Sequence, residues 1–137
     1  MNQQKNTNNS SKPRLILTHG EKGGVGKTTV ARVIADFLNA RDIEFRAFDA
    51  EGPLGQLLRF HPNETAPVDV SDAASVAPVL DYLMDGGGKP VALVDLGARS
   101  GADVKSWLYR GGALEEAEAD RLGITVVYVL GGAVDSV

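Results

Sequence analysis

The stretch Arg14-Leu15-Ile16-Leu17-Thr18-His19-Gly20-Glu21-Lys22-Gly23-Gly24-Val25-Gly26-Lys27-Thr28-Thr29 decides how the chain folds. Arg14 to Thr18 is a short apolar run that enters a glycine-rich loop, which predicts a buried strand. Beyond the loop, Val30, Val33, Ile34, Phe37 and Leu38 recur at offsets 0, 3, 4, 7 and 8. That is the spacing of one helical face, so a helix is expected from Lys27 to Ala40 with this stripe toward the core. Arg41-Asp42 makes a turn, and Ile43 to Asp49 reads as a second strand. Strand, loop, helix and strand form one βαβ unit, which calls for a parallel sheet covered by helices.

The remainder extends that pattern. Leu54 to Phe60 reads as a short helix, His61 to Pro67 as a loop and Val68 to Val70 as a brief strand. Ser75 to Met84 is expected to be helical, with Pro78 tolerated near the first turn. Gly86-Gly87-Gly88 ends that element, and Val91 to Asp95 is a strand flanked by Pro90 and Gly97. Ala102 to Tyr109 and Ala113 to Leu122 are helical pieces separated by Gly111-Gly112, and Ile124 to Leu130 is the most strand-like run. The fold class predicted is α/β, a three-layer P-loop NTPase fold with a mainly parallel sheet.

Composition narrows the chemistry. A chain of 137 residues can bury one core. The absence of Cys removes disulfides, thiolate catalysis and Cys-ligated clusters. A net charge of −4 gives no global argument for nucleic acid or an anionic membrane surface. No apolar run approaches the roughly 18 residues of a transmembrane helix. Residues 1–13 are polar and read as a disordered tail without the apolar core of a signal peptide, so a cytoplasmic protein is expected. Residues 14–137 are then expected to form one domain. Gly131 to Val137 reads as a loop entering another helix, so the domain is expected to be truncated, the N-terminal part of a larger one.

The loop carries the chemistry. A phosphate chain needs several backbone N–H groups aimed at it, and glycine lets the backbone approach closely enough. The following helix adds its positive N-terminal end. Lys27 supplies a point charge for the β- and γ-phosphates and Thr28 a hydroxyl for Mg²⁺, with Gly23, Gly24, Val25, Gly26 and Thr29 completing the cradle. The first glycine of the general G-x-x-x-x-G-K-[ST] pattern is replaced by Glu21. The remaining K-G-G-x-G-K-T still has a chance frequency on the order of 10⁻⁵ in this length. ATP and Mg²⁺ are the expected ligands.

Lys22-Gly23-Gly24-Val25-Gly26-Lys27-Thr28-Thr29 resembles the deviant Walker A loop of the ParA/MinD ATPases, which position plasmids, chromosomes, division proteins or other cargo. The resemblance covers nearly all of Arg14 to Leu130 in element order and is sharp in three motifs. It implies that Lys22 is the signature lysine, which reaches across an ATP-sandwich homodimer to the partner's phosphates. In Phe48-Asp49-Ala50-Glu51-Gly52-Pro53, Asp49 matches the first Asp of the family's D-x-D and Glu51 replaces the second. Asp49 is thereby implied to be a Mg²⁺ group acting through water, and Glu51 to position the attacking water. Val91-Ala92-Leu93-Val94-Asp95-Leu96-Gly97 is similar to a Walker B strand, with Asp95 on a Mg²⁺-bound water and Gly97 in a switch loop. The family's D-T-P-x-G is D-L-G-A here.

The resemblance implies an ATPase acting as a nucleotide-dependent dimerising switch with a protein partner, in plasmid partition or conjugal transfer. Glu21-Lys22 with D-x-E-G looks most like TraL-type transfer proteins. A small-molecule kinase or ATP-dependent ligase similar to dethiobiotin synthetase, and a relative that binds without turnover, are the alternatives. DNA or membrane contact is left open. His19 and His61 have no partner at metal-ligand spacing and read as structural or solvated. Trp107 and Tyr109 read as residues of core or partner packing, and Glu115, Glu116, Glu118 and Asp120 as a solvated acidic face.

Overall fold

The computed structural model describes residues 12–20, 27–51, 55–85, 90–97 and 101–130, with the side chains of 27–29 left aside. The elements in chain order are strand β1 (Arg14–Gly20), helix α1 (Lys27–Ala40), β2 (Phe45–Asp49), α2 (Gln56–Phe60) and β3 (Thr65–Pro67). A 3₁₀ turn (Ala73–Val76) leads into α3 (Ala77–Asp85), followed by β4 (Val91–Asp95), α4 (Gly101–Arg110), α5 (Ala113–Glu118) and β5 (Gly123–Val129). The five strands form one all-parallel sheet in the order β3-β2-β4-β1-β5.

Register assigns each side chain to a face, because successive residues of a strand alternate. Ile16, Leu93 and Ala47 are aligned across β1, β4 and β2, and this face packs under Ala31, Ala35 and Leu38 of α1 and Leu57 of α2. Leu15, Leu17, Ala92, Val94 and Phe48 point the other way. They meet Val76, Val79 and Leu83 together with Val104, Trp107 and Leu108 of α4. The sheet is therefore sandwiched between two helical layers, which is why β4, buried on both sides, reads as a near-continuous apolar run. Trp107 is in the core and its indole N–H donates to Ser75 Oγ at 2.8 Å.

Four expectations change. The buried stripe of α1 is Ala31, Ala35 and Leu38 with Ile34 partly covered, whereas Val33 and Phe37 are 60% and 50% exposed. Alanines let the helix lie close to the sheet, and the larger side chains are turned outward. The strand expected at Val68–Val70 lies instead at Thr65–Pro67, within the expected loop. As an edge strand β3 tolerates Pro67, and Val68 and Val70 enter the core from the irregular segment beyond it. The helix expected to Leu122 ends at Glu118, before Asp120 at φ 63°. Lys12 and Pro13, assigned to the tail, are engaged: Lys12 Nζ donates to Asp120 at 2.7 Å and Pro13 accepts from the Gly123 N–H. The tail reading of 1–11, the Gly86-Gly87-Gly88 turn and the helix entry at Gly131–Val137 fall outside the described residues.

The helices follow from the strand order. β1 to β2 and β2 to β3 run toward one edge, and right-handed crossovers put α1 and α2 on one face. β3 to β4 and β4 to β5 run back, which requires α3, α4 and α5 on the other. α2 is tied to α1 by the Arg32 guanidinium, 3.6 Å above the Phe60 ring, and by His61 Nε2, 3.2 Å from Asp36 Oδ1. No helix among the described residues is long and apolar enough to cross a membrane.

The α1 face can be checked by substitution. Ala35→Leu should overpack the α1–sheet contact and lower stability by about 1–3 kcal/mol in urea denaturation. Val33→Lys should change it by no more than about 0.5 kcal/mol. The opposite ranking would restore the stripe expected from periodicity.

Candidate functional site

β1 and β4 are neighbours whose connections leave for opposite faces of the sheet, and so are β4 and β2. In open parallel sheets this opens a crevice at the carboxyl ends of the strands, where ligands bind. Register places Thr18, Asp95 and Asp49 in one row across β1, β4 and β2 at that edge. All three are almost completely buried, and they lie on the face covered by α1 and α2. β1 ends at Gly20 and α1 begins at Lys27 at this crevice. The first turn of α1 holds no acidic residue that would neutralise its N-terminal dipole.

The two aspartates have different surroundings. Asp49 Oδ1 accepts the Glu51 N–H at 2.9 Å, and Oδ2 accepts the Leu58 N–H at 3.1 Å. α2 begins after Gly55, which has no capping side chain, so Asp49 reaches across to satisfy one of its first N–H groups. A methyl group on Gly55 would stand 2.0 Å from Asp49 Oδ2, so only glycine permits this approach. Both oxygens of Asp49 thus fix backbone: one sets the turn that carries Glu51, the other the entry to α2.

Among the described residues, Asp95 is held on one oxygen. Its Oδ1 accepts from Thr18 Oγ1 at 3.2 Å and from the Gly97 N–H at 3.3 Å. Burial is the largest influence on it and raises its pKa to about 6; the negative charges of Asp49 and Glu51 push the same way, against the two hydrogen bonds. Gly97 has φ +65°, and a side chain there would lie 2.8 Å from Glu51 Oε2. The Glu51 carboxylate therefore rests over the turn that follows Asp95, which brings the second and third sequence motifs into contact.

Of the residues singled out from the sequence, Asp49, Glu51, Asp95 and Gly97 are gathered at one sheet edge. Lys22, Gly23, Gly24, Val25 and Gly26 lie outside the described residues, and of Lys27, Thr28 and Thr29 only the helical backbone is described. His61 sits apart, in the α1–α2 contact. His19 packs edge-on against Tyr128, with ring centroids 5.3 Å apart. Thr18 and Gly55 were not singled out by sequence. Their roles depend on strand register and on a helix packed back against β2, neither of which local spacing reveals.

Among the described residues, no group of three or more His, Asp and Glu side chains is placed to hold a metal ion by itself. A buried carboxylate that is costly to ionise alone regains its charge when a cation is bound nearby. No protein-family model matches the sequence, and no curated protein matches it significantly.

Two outcomes follow. In nucleotide- and metal-free protein, the raised pKa of Asp95 means that the unfolded chain ionises first as pH rises. Stability is then lost between about pH 4 and 6 and not regained above it. Asp95→Asn should abolish that fall and stabilise the protein at pH 7 by about 1–3 kcal/mol in urea titrations. A variant less stable than the parent at pH 7 would refute the assignment. Gly55→Ala should displace the Asp49 carboxylate and cost about 2–3 kcal/mol in the same assay.

Proposed function

We propose that the chain is an ATP- and Mg²⁺-binding P-loop ATPase of the ParA/MinD type, a nucleotide-dependent dimerising switch of the cytoplasm. The observation that carries the reading is placement. β1 ends and α1 begins at the crevice, on either side of Lys22-Gly23-Gly24-Val25-Gly26-Lys27-Thr28-Thr29 in sequence, where Asp95 ends β4, Asp49 ends β2 and Glu51 follows two residues on. Phosphate would be cradled by loop N–H groups and the N-terminus of α1, with Lys27 as the countercharge. Mg²⁺, held through Thr28 and Asp95, would neutralise phosphate charge and orient the chain for in-line attack. Glu51 is the residue to position water, and Asp49 fixes the turn that presents it. Lys22 would supply a second cation at the phosphates of a partner subunit.

This division of roles refines the metal set inferred from the motifs. Asp49, with both oxygens on backbone N–H groups, supports the site through Glu51 and α2, while Asp95 is the carboxylate suited to the cation. The Glu21-Lys22 start and D-x-E-G motif favour a setting in conjugal transfer, as in TraL-type proteins.

Calorimetry with ATP and Mg²⁺ tests binding, and Lys27→Ala should weaken it by about a hundredfold or more. Mass measurement of Glu51→Gln with ATP and Mg²⁺ tests the switch: a dimer is expected, and Lys22→Ala should bind ATP yet remain monomeric. A Glu51→Gln protein that stays monomeric with ATP bound would overturn the switch. Turnover that requires an added small metabolite would replace it with a kinase or ligase.

A further inference from the structure

One face of α4 is buried through Val104, Trp107 and Leu108. The other is exposed through Ala102, Lys105, Ser106, Tyr109 and Arg110, again at offsets 0, 3, 4, 7 and 8. This outer face and Leu114 of α5 line an open groove of about 620 Å³. Ala102 and Ser106 line it with small side chains, and Lys105, Tyr109, Arg110 and Leu114 with larger ones. Tyr109 is 72% exposed, the most exposed aromatic among the described residues. Neither Lys105 nor Arg110 forms an ion pair among the described residues, although the chain carries a net charge of −4.

We propose that this groove docks an acidic amphipathic segment of a partner protein, which inserts apolar side chains beside Tyr109 and Leu114 and sets carboxylates against Lys105 and Arg110. Charge selects the occupant. Lys105 and Arg110 line the groove from opposite sides of the exposed face and favour carboxylates, while Glu115 and Glu118 border the adjoining depression along α5 and oppose an occupant whose negative charge runs on unbroken, as in a nucleic acid. An exposed aromatic with flanking cations is also the composition of an interface anchor, and helical ligands use apolar side chains at three- and four-residue spacing in such grooves.

The groove is placed to respond to the crevice. α4 begins at Gly101, four residues after the Gly97 turn on which Glu51 rests. Its inner face is fixed by Trp107, so a shift of that turn would be passed along α4 to the groove. This coupling rests on the nucleotide-binding reading; the docking does not.

The test titrates nucleotide-free protein with a labelled helical peptide bearing Leu and Phe on one face and Asp and Glu along its flanks. Saturable binding with Kd on the order of 10⁻⁵ M is expected. The double substitution Lys105→Glu/Arg110→Glu should weaken it at least about tenfold and favour a peptide with Lys and Arg flanks instead. Tyr109→Ala should weaken it by a similar factor. All three side chains are exposed, so thermal midpoints should be unchanged. Absence of saturation at about 1 mM, or equal binding of the two peptides, would overturn the proposal. So would tighter binding of a single-stranded oligonucleotide. A dimer without peptide that the double variant dissolves would assign the groove to a second copy. Adding ATP and Mg²⁺ should change peptide affinity, and peptide should change ATP affinity by the same factor. Unchanged affinities with ATP bound would remove the coupling and leave the docking intact.

Discussion

An aspartate at the end of a strand buried on both faces is the constraint around which this edge of the molecule is arranged. Asp95 cannot leave the sheet, because β4 is held between β2 and β1 and covered by helices on either side. Among the described residues, its charged neighbours Asp49 and Glu51 add like charge. Thr18 and the Gly97 N–H supply hydrogen bonds that partly offset burial but leave the carboxyl well above its ordinary range. A site that keeps an uncompensated carboxylate gives up stability for which a bound cation would compensate.

The strand order makes that arrangement possible. Had the strands followed one another across the sheet in sequence, all crossovers would lie on one face and no crevice would open. Inserting β4 between β1 and β2 places three strand ends side by side, each from a different part of the chain. Thr18, Asp49 and Asp95 are separated by tens of residues in sequence, yet adjacent register partners bring them into one row. Parallel pairing aligns them at the same edge, where the N-terminus of α1 also begins.

Elements with a continuous physical signal were legible in the sequence. The runs at Arg14–Thr18, Val91–Asp95 and Ile124–Leu130 each became strands with shifts of at most two residues at an end, because a short unbroken run of apolar and β-branched residues between turns suits a strand, buried as in β1 and β4 or at the edge as in β5. The α1 helix was equally plain, but its orientation was not. Ala31 and Ala35 carry little weight in a hydrophobic pattern, yet their small size is what fits against the sheet. β3 escaped detection because three residues ending in proline have no alternation to read. At the site, Asp95 and Glu51 were visible as acids after strands. The Asp49–Leu58 bond was not, since it depends on where a helix nine residues later returns to β2.

That bond changes how the acidic motif should be understood. Two carboxylates spaced by one residue invite the view that both face the ligand, and in sequence they are equivalent candidates. The structure separates them by the partners they already have. Asp49 is fully buried with both oxygens committed to backbone N–H groups, so it determines where the chain goes. Glu51 is exposed, and its side chain lies over a glycine in the left-handed region. Any reshaping of the Gly97 turn must move against that carboxylate, and any movement of Glu51 alters the space above the turn. The longer side chain is thus placed where a change at one strand end is felt at the next, while Asp49 keeps the intervening backbone fixed.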